Sequence, residues 1–327
     1  MRGFVRYFLL PGFGSVLLLL AALAAAIVWG TAPAPAPLAS INDPAAAQNL
    51  SALPARQFMR ARDGMALAYR TYPGAIARAV ILVHGSTADA ASMHSLARAL
   101  QSIADPPTVY ALDMRGHGMS GARRGDIAYP GQLEDDLEDF LKDRRLAHPA
   151  AQWTLAGFSS GGGFALRIAG SGLAPQFRKF ILLAPWLAHD APTARDGGGD
   201  AQWAAPYLPR LVALLLLEKA GLPWFQDLPV LAFARRDGDG QSYTYSYRLW
   251  RNFRPHEDYA ADLRAAPSAP VLLVGGADEL LVADAFAPLV AGIRSDATVQ
   301  VLPGLGHMDM IFSETAQRAV VDAYLKD

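Results

Sequence analysis

Gly157-Phe158-Ser159-Ser160-Gly161 places a serine where acyl-transfer chemistry would need a nucleophile. An apolar run, Trp153-Thr154-Leu155-Ala156, precedes it, and Gly162-Gly163-Phe164-Ala165-Leu166 follows with the character of a helix. A strand running straight into a helix needs a sharp turn with its apical side chain thrust outward. Small residues two places before and after the apex let the two elements approach, which is the steric content of G-x-S-x-G. The same letters arise wherever Gly and Ser cluster in a loop; the strand-before, helix-after setting favours a nucleophile elbow. A serine hydroxyl attacks poorly unless a base takes its proton and a carboxylate orients that base. Chains with this elbow carry the groups in the order Ser, Asp or Glu, His. His84, His94, His117 and His148 precede the serine, and His189 and His256 fall in a stretch without strand character. His307, in a loop after the strand-like Thr298-Val299-Gln300-Val301-Leu302, is therefore the expected base.

The acid follows from the same order. Pro270-Val271-Leu272-Leu273-Val274-Gly275-Gly276 reads as a buried parallel strand closed by turn glycines, and Asp278 stands just past it. The C-terminal ends of strands are where an open sheet carries its chemistry. Glu279 or Asp284 could serve if the loop were displaced, but both read as solvated surface carboxylates, and Asp309 is too near His307 in sequence to orient it. A second buried strand, Ala79-Val80-Ile81-Leu82-Val83, leads into His84-Gly85-Ser86-Thr87. An oxyanion hole in this setting takes one backbone N–H from the residue after the nucleophile and one from this earlier loop, which nominates Ser160 and Ser86. His84 reads as a structural brace of that loop.

These residues need a scaffold, and strand–helix alternation supplies one. Residues 80–83, 110–112, 153–156, 179–183 and 271–274 read as buried strands, and 92–103, 129–146 and 314–325 as helices. Such βα alternation implies a mostly parallel sheet with helices on both faces. Asp63-Gly64 between residues 57–61 and 65–70 predicts an antiparallel hairpin at one edge.

The chain resembles the α/β-hydrolases, in particular the branch of monoacylglycerol lipases, lysophospholipases and serine aminopeptidase-like enzymes. The resemblance spans roughly residues 55–327. It rests on the His84-Gly85 loop, Asp113-Met114-Arg115-Gly116-His117-Gly118-Met119-Ser120, the elbow, and the loops of Asp278 and His307. It implies the α/β-hydrolase fold with a cap inserted after the sixth strand, at about residues 186–266, where the alternation stops. It also implies hydrolysis of carboxylic esters, of lipid or acylglycerol type, through an acyl-enzyme and with no cofactor or metal. Asp113 and His117 are expected to shape a turn, not to react. A serine at the elbow apex argues against epoxide hydrolases and haloalkane dehalogenases, which carry Asp there. Ser160 argues against proline iminopeptidases, which carry Trp. A peptidase or amidase of the same fold, or a catalytically silent scaffold that binds a ligand, are the alternatives. Within the cap, Leu211-Val212-Ala213-Leu214-Leu215-Leu216-Leu217 and the aromatic run 243–253 read as packing, or as a lid whose inner face holds an acyl chain.

With 29 basic and 30 acidic residues the chain has no electrostatic footprint for nucleic acid, and without cysteine it has neither disulfides nor thiol chemistry. Residues 8–30 are almost wholly apolar behind Arg2 and Arg6. As a helix they would extend about 33 Å, enough for a hydrocarbon core of about 30 Å. Residues 1–30 are accordingly expected to be a signal anchor holding the catalytic domain outside the cytoplasm (periplasmic in a bacterium). Pro11, Gly12 and Gly14 could shorten the helix to signal-peptide size. Cleavage at Ala32-Pro33-Ala34 would then release a secreted or periplasmic enzyme. Residues 31–54, rich in Ala and Pro, read as a semi-extended tether.

Overall fold

The computed structural model describes residues 4–30, 34–195, 202–236 and 242–326; the side chains of 4–14, 16, 236 and 242 lie outside the description. In chain order the strands are β1 (Gln57–Arg60), β2 (Ala66–Tyr72), β3 (Ala75–Val83), β4 (Pro107–Leu112), β5 (Gln152–Phe158), β6 (Phe177–Leu183), β7 (Ala204–Pro206), β8 (Pro229–Arg236), β9 (Ser242–Ser246), β10 (Val271–Gly275) and β11 (Thr298–Leu302). Eight of them form one sheet in the order β1-β2-β4-β3-β5-β6-β10-β11. Only the Asp63-Gly64 hairpin and its junction with β4 are antiparallel. The central strands are apolar throughout, with Ile81, Leu82, Val83, Leu155, Leu182 and Leu273 buried, as strands covered on both faces must be.

The helices are α1 (Phe4–Val28), α2 (Ala39–Ala46), α3 (His94–Gln101), α4 (Gln132–Ala147), α5 (Ser160–Ala169), α6 (Leu208–Lys219), α7 (Tyr247–Asn252), α8 (Tyr259–Ala265), α9 (Ala283–Ile293), α10 (Asp309–Phe312) and α11 (Glu314–Leu325). Two expected helices are shorter than their periodicity suggests. The first turn expected of α3 is instead a 3-10 turn over Ala90–Met93 capped by the Asp89 carboxylate. α4 begins only after Gly131, whose φ of 101° ends the preceding loop.

Parallel pairing fixes where the chemistry sits. Val83 aligns with Gly157, and Gly275 with Leu302, so the segments that leave β3, β5, β10 and β11 emerge along one edge of the sheet. They carry Ser86, Ser159, Asp278 and His307. Over that edge lies the cap, an antiparallel sheet β7-β8-β9 with α6 and α7. The end of the expected insertion returns to the core instead. α8 packs on α5 so closely that a Cβ at Gly170 would collide with Asp262.

The expected tether is not extended. Residues 31–33 lie outside the description, but residues 39–46 form α2, and Gln48 donates its side-chain amide to the carbonyls of Ala91 and Ser92 at 3.0 and 3.3 Å. The Asn42 side-chain amide and the Leu38 backbone N–H both donate to the Ala234 carbonyl on β8. Its apolar residues, Ile41 and Ala45, give the segment a face to bury that a solvated linker would lack. α1 ends against the cap: Ile27 packs with Ala213 and Leu214 of α6, and Arg210 donates to the Ile27 carbonyl at 2.9 Å. Among the described residues no helix is long and apolar enough to cross a membrane. Of the stretch expected to do so, the side chains of residues 8–14 and 16 lie outside the description, and those of 15 and 17–30 lie within it.

Candidate active site

Ser159 sits at the apex of the turn from β5 into α5 with φ 54° and ψ −119°, a conformation L-residues rarely adopt. The two flanking glycines are sterically required. A Cβ at Gly157 would strike the carbonyl of Gly161, and one at Gly161 would strike the carbonyls of Val83 and His84. The strain is held by the frame: the Ser159 amide donates to Leu183 of β6, and its carbonyl accepts from Gly163 and Trp186.

His307 Nε2 lies 3.0 Å from Ser159 Oγ, and His307 Nδ1 lies 2.8 Å from Asp278 Oδ2. Both ring nitrogens are thus engaged, with Nδ1–H donating to the carboxylate and Nε2 left to accept from the serine. The other Asp278 oxygen accepts from the amides of Leu280 and Leu281 at 2.8 and 3.0 Å, in a fully buried setting. Glu279 is no plain surface carboxylate, contrary to the sequence reading. It accepts the His307 backbone N–H at 2.9 Å, and Asp309 accepts the Gly306 N–H, so two acids hold the histidine loop. Asp284 is exposed in the first turn of α9.

Ser86 and Ser160 meet through their hydroxyls, 2.5 Å apart. Among the described residues neither of their backbone N–H groups donates a hydrogen bond. The loop that carries Ser86 is braced from behind. His84 donates from Nδ1 to the Gly85 carbonyl at 2.7 Å and accepts the Met114 N–H on Nε2 at 3.1 Å. Thr87, at φ 61°, donates its N–H to the Tyr245 hydroxyl, which in turn donates to His117 Nε2 at 2.6 Å. Burial pushes the pKa of His84 down, and that of His117 well below the usual imidazole value, so both rings are neutral acceptors. Asp113 accepts the amides of Ala90 and Met119 at 2.8 Å each. The D-x-R-G-H-G-x-S segment therefore builds the floor of the site.

Two residues here escaped the sequence reading. Arg195 donates from Nε to the carbonyls of Asp278 and Leu281 at 3.0 and 2.9 Å, clamping the acid loop from the start of the cap. It stands in a stretch with no periodicity, so no local signal marked it. Tyr245 did leave a signal: the Tyr243-Thr244-Tyr245 alternation is that of a strand with one face turned inward.

Two cavities flank the serine. One of about 240 Å³ contains Ser159 and His307 and is walled by Ile41, Ala45, Phe158 and Arg235. The other, about 450 Å³, runs beneath the cap among Trp186, Leu211, Leu215, Leu231 and Trp250, with Arg195, Arg254 and His189 as its cationic or basic members. Ser86, Trp203 and Phe233 border both. No cluster of potential metal ligands occurs among the described residues.

A mostly parallel eight-stranded sheet with a strained serine at its edge and a histidine and buried aspartate in register is the architecture of the α/β-hydrolases. The chain belongs to the serine aminopeptidase S33 family, whose pattern it matches over residues 74–315. It is similar to a monoacylglycerol lipase of Mycolicibacterium smegmatis, 27% identical over 254 residues that cover 74% of this chain and 85% of that one. It is also similar to the dihydrolipoyllysine-residue acetyltransferase component of the acetoin cleaving system of Cupriavidus necator, at 28% identity over 80% of this chain and 67% of that one. Among solved structures, a soluble variant of the monoglyceride lipase of Saccharomyces cerevisiae superposes with a TM-score of 0.63 at 16% identity, covering 85% of this chain and 95% of that one.

Proposed function

We propose that the protein hydrolyses carboxylic esters of lipid or acylglycerol type through an acyl-enzyme on Ser159. As Ser159 Oγ bonds to the acyl carbon, its proton passes to His307 Nε2. The carbonyl electrons collect on an oxyanion received by the Ser86 and Ser160 N–H groups, and the Asp278 carboxylate steadies the imidazolium. Collapse breaks the bond to the alcohol oxygen, which leaves with the proton from His307. A water then gives its proton to His307 and its hydroxide to the acyl carbon, releasing the acid and restoring Ser159. The observation that carries this reading is the hydrogen-bonded file Asp278–His307–Ser159 beside two N–H groups with no acceptor among the described residues.

The lipid part of the reading rests on the larger cavity. Leu211, Leu215 and Leu231 offer an acyl chain an apolar lining, while Leu208 and Val212 line the same space and are also exposed on the outer face of the cap. Leu216, Trp224, Phe225 and Trp29 are exposed as well. We therefore propose that the N-terminal apolar segment, residues 8–30, holds the protein at a membrane as an uncleaved anchor, with the catalytic domain on the extracytoplasmic side and its cap toward the lipid. Such a protein stays with membranes through an alkaline carbonate wash. A mature chain beginning anywhere between Ala32 and Ser40 would instead make it a secreted or periplasmic enzyme.

The enzyme reading is tested with p-nitrophenyl esters from acetyl to palmitoyl and the matching anilides. Cleavage of medium or long acyl esters well above both the acetyl ester and every anilide is the expected outcome. Anilides or peptides cleaved as well as esters would make the protein a peptidase, and turnover of none would leave a binding scaffold.

A further inference from the structure

The cap strand β8 presents an ordered row to the two cavities. Leu231, Phe233 and Arg235 occupy alternate positions along it, and its pairing with β9 shifts register between Ala232 and Arg236. Leu231 lines the larger apolar cavity, Phe233 borders both, and Arg235 lines the smaller one with Ser159 and His307. The strand thus passes from apolar side chains in the larger cavity to a guanidinium in the smaller one.

Arg235 has no acceptor within hydrogen-bonding distance among the described residues. The groups that act on it do so through space only: Asp89 and the hydroxyls of Tyr243 and Tyr245. Asp89 is already committed, to Arg56 at 3.3 Å and to the Ala91 N–H. The tyrosines are neutral, since burial pushes both of their pKa values far up, and His84 and His117, which also feel the Arg235 charge, are held neutral. Burial lowers the pKa of Arg235 itself, the expected effect of withdrawing a cation from water without giving it a partner. A guanidinium keeps its proton under such stress, and its planar fork matches a carboxylate or phosphate. A half-buried guanidinium with no acceptor among the described residues, lining the same cavity as the nucleophile, is available to a ligand anion.

Resting on the ester-hydrolase reading, we propose that Arg235 is a specificity-determining residue that binds an oxyanion, carboxylate or phosphate, on the alcohol portion of the substrate, so that the preferred substrates are anionic amphiphilic esters. The acyl chain lies along Leu231 and Phe233, the scissile carbonyl reaches Ser159, and the anion meets Arg235. The same charge repels the α-ammonium of an aminopeptidase substrate.

The test uses the octanoyl esters of glycerol, glycerate and glycerol 3-phosphate, which share acyl chain and scissile bond. Wild type is expected to favour at least one anionic ester over the glycerol ester by about tenfold or more in kcat/KM, the value of one charge-assisted contact. Which ester responds identifies the anion. Arg235→Gln brings the three values together, and Arg235→Lys retains part of the preference. No preference in wild type, or a preference that survives in Arg235→Gln, overturns the proposal. Binding of octyl phosphate and octanol to Ser159→Ala protein, with and without Arg235→Gln and measured by calorimetry, separates this claim from catalysis. If no ester is turned over, the hydrolase reading falls while a phosphate advantage that depends on Arg235 still upholds the anion site. Equal binding with and without Arg235 overturns it. A melting curve on each variant, with Arg235→Lys as the gentler substitution, guards against misfolding.

Discussion

At the residue scale, hydrolysis at this site depends on which atoms can exchange a proton. Ser159 Oγ lies 3.0 Å from His307 Nε2, whereas the Ser160 hydroxyl is tied to Ser86. Ser159→Ala is therefore expected to lower kcat by on the order of 10⁶ while the protein still folds. Ser160→Ala, which keeps its backbone N–H, should retain most activity; the reverse pattern in steady-state rates would move the nucleophile to Ser160. Asp278→Asn is expected to cost up to about 10⁴ in kcat, because an amide favours the wrong imidazole tautomer. Glu279→Gln should cost far less, since its contact is to the histidine backbone. The three residues joined here were legible in the sequence because each follows a strand and their order is constrained. Glu279 was not, because a carboxylate beside an acid looks the same whether it faces water or reaches across to another loop.

At the element scale, what positions the site is the docking of cap and N-terminal segment onto loops of the sheet. Tyr245 of β9 is the plainest case, since its hydroxyl satisfies both the Thr87 N–H and His117 Nε2. Tyr245→Phe leaves a buried donor and a buried acceptor unpaired, at about 1–3 kcal/mol for each unsatisfied group. The melting temperature should fall, and kcat should fall more than KM rises because Ser86 is in the loop that loosens. A variant matching wild type in both would show that the hydroxyl does not hold the loop. Arg195→Ala is expected to lower kcat several-fold through the Asp278 loop with little change in stability, measured by single-turnover kinetics and chemical denaturation. Strands and core helices were readable from apolar runs and glycine punctuation. α2 was not: its Ala- and Pro-rich composition reads as linker, and only the contact of Ile41 and Ala45 with the rest of the fold makes it a wall of the cavity that holds Ser159 and His307. Arg195 was missed for the same reason, as its partners are carbonyls more than eighty residues away.

At the scale of the whole molecule, the neutral histidines beneath the site tie stability to pH. Burial holds His84 and His117 below the usual imidazole value of about 6.5, and His94 is shifted in the same direction. The unfolded chain therefore takes up protons that the folded protein refuses. The contribution is whole above about pH 6.5 and is lost as pH falls from there toward the lowered values. Each such group adds a slope of at most about 1.4 kcal/mol per pH unit in that window. Urea midpoints should drop steeply on acidification below neutrality, and His117→Gln should flatten the decline. Midpoints that stay level would mean that these rings take up protons in the folded state.

The central claim is that Ser159 is the nucleophile of a working hydrolase, and a fluorophosphonate probe tests it most directly. A single covalent adduct is expected, located by peptide mass spectrometry on Ser159, formed at a rate that collapses in His307→Ala and vanishes in Ser159→Ala. Native protein that hydrolyses esters but carries no adduct, or carries it on another residue, would contradict the account.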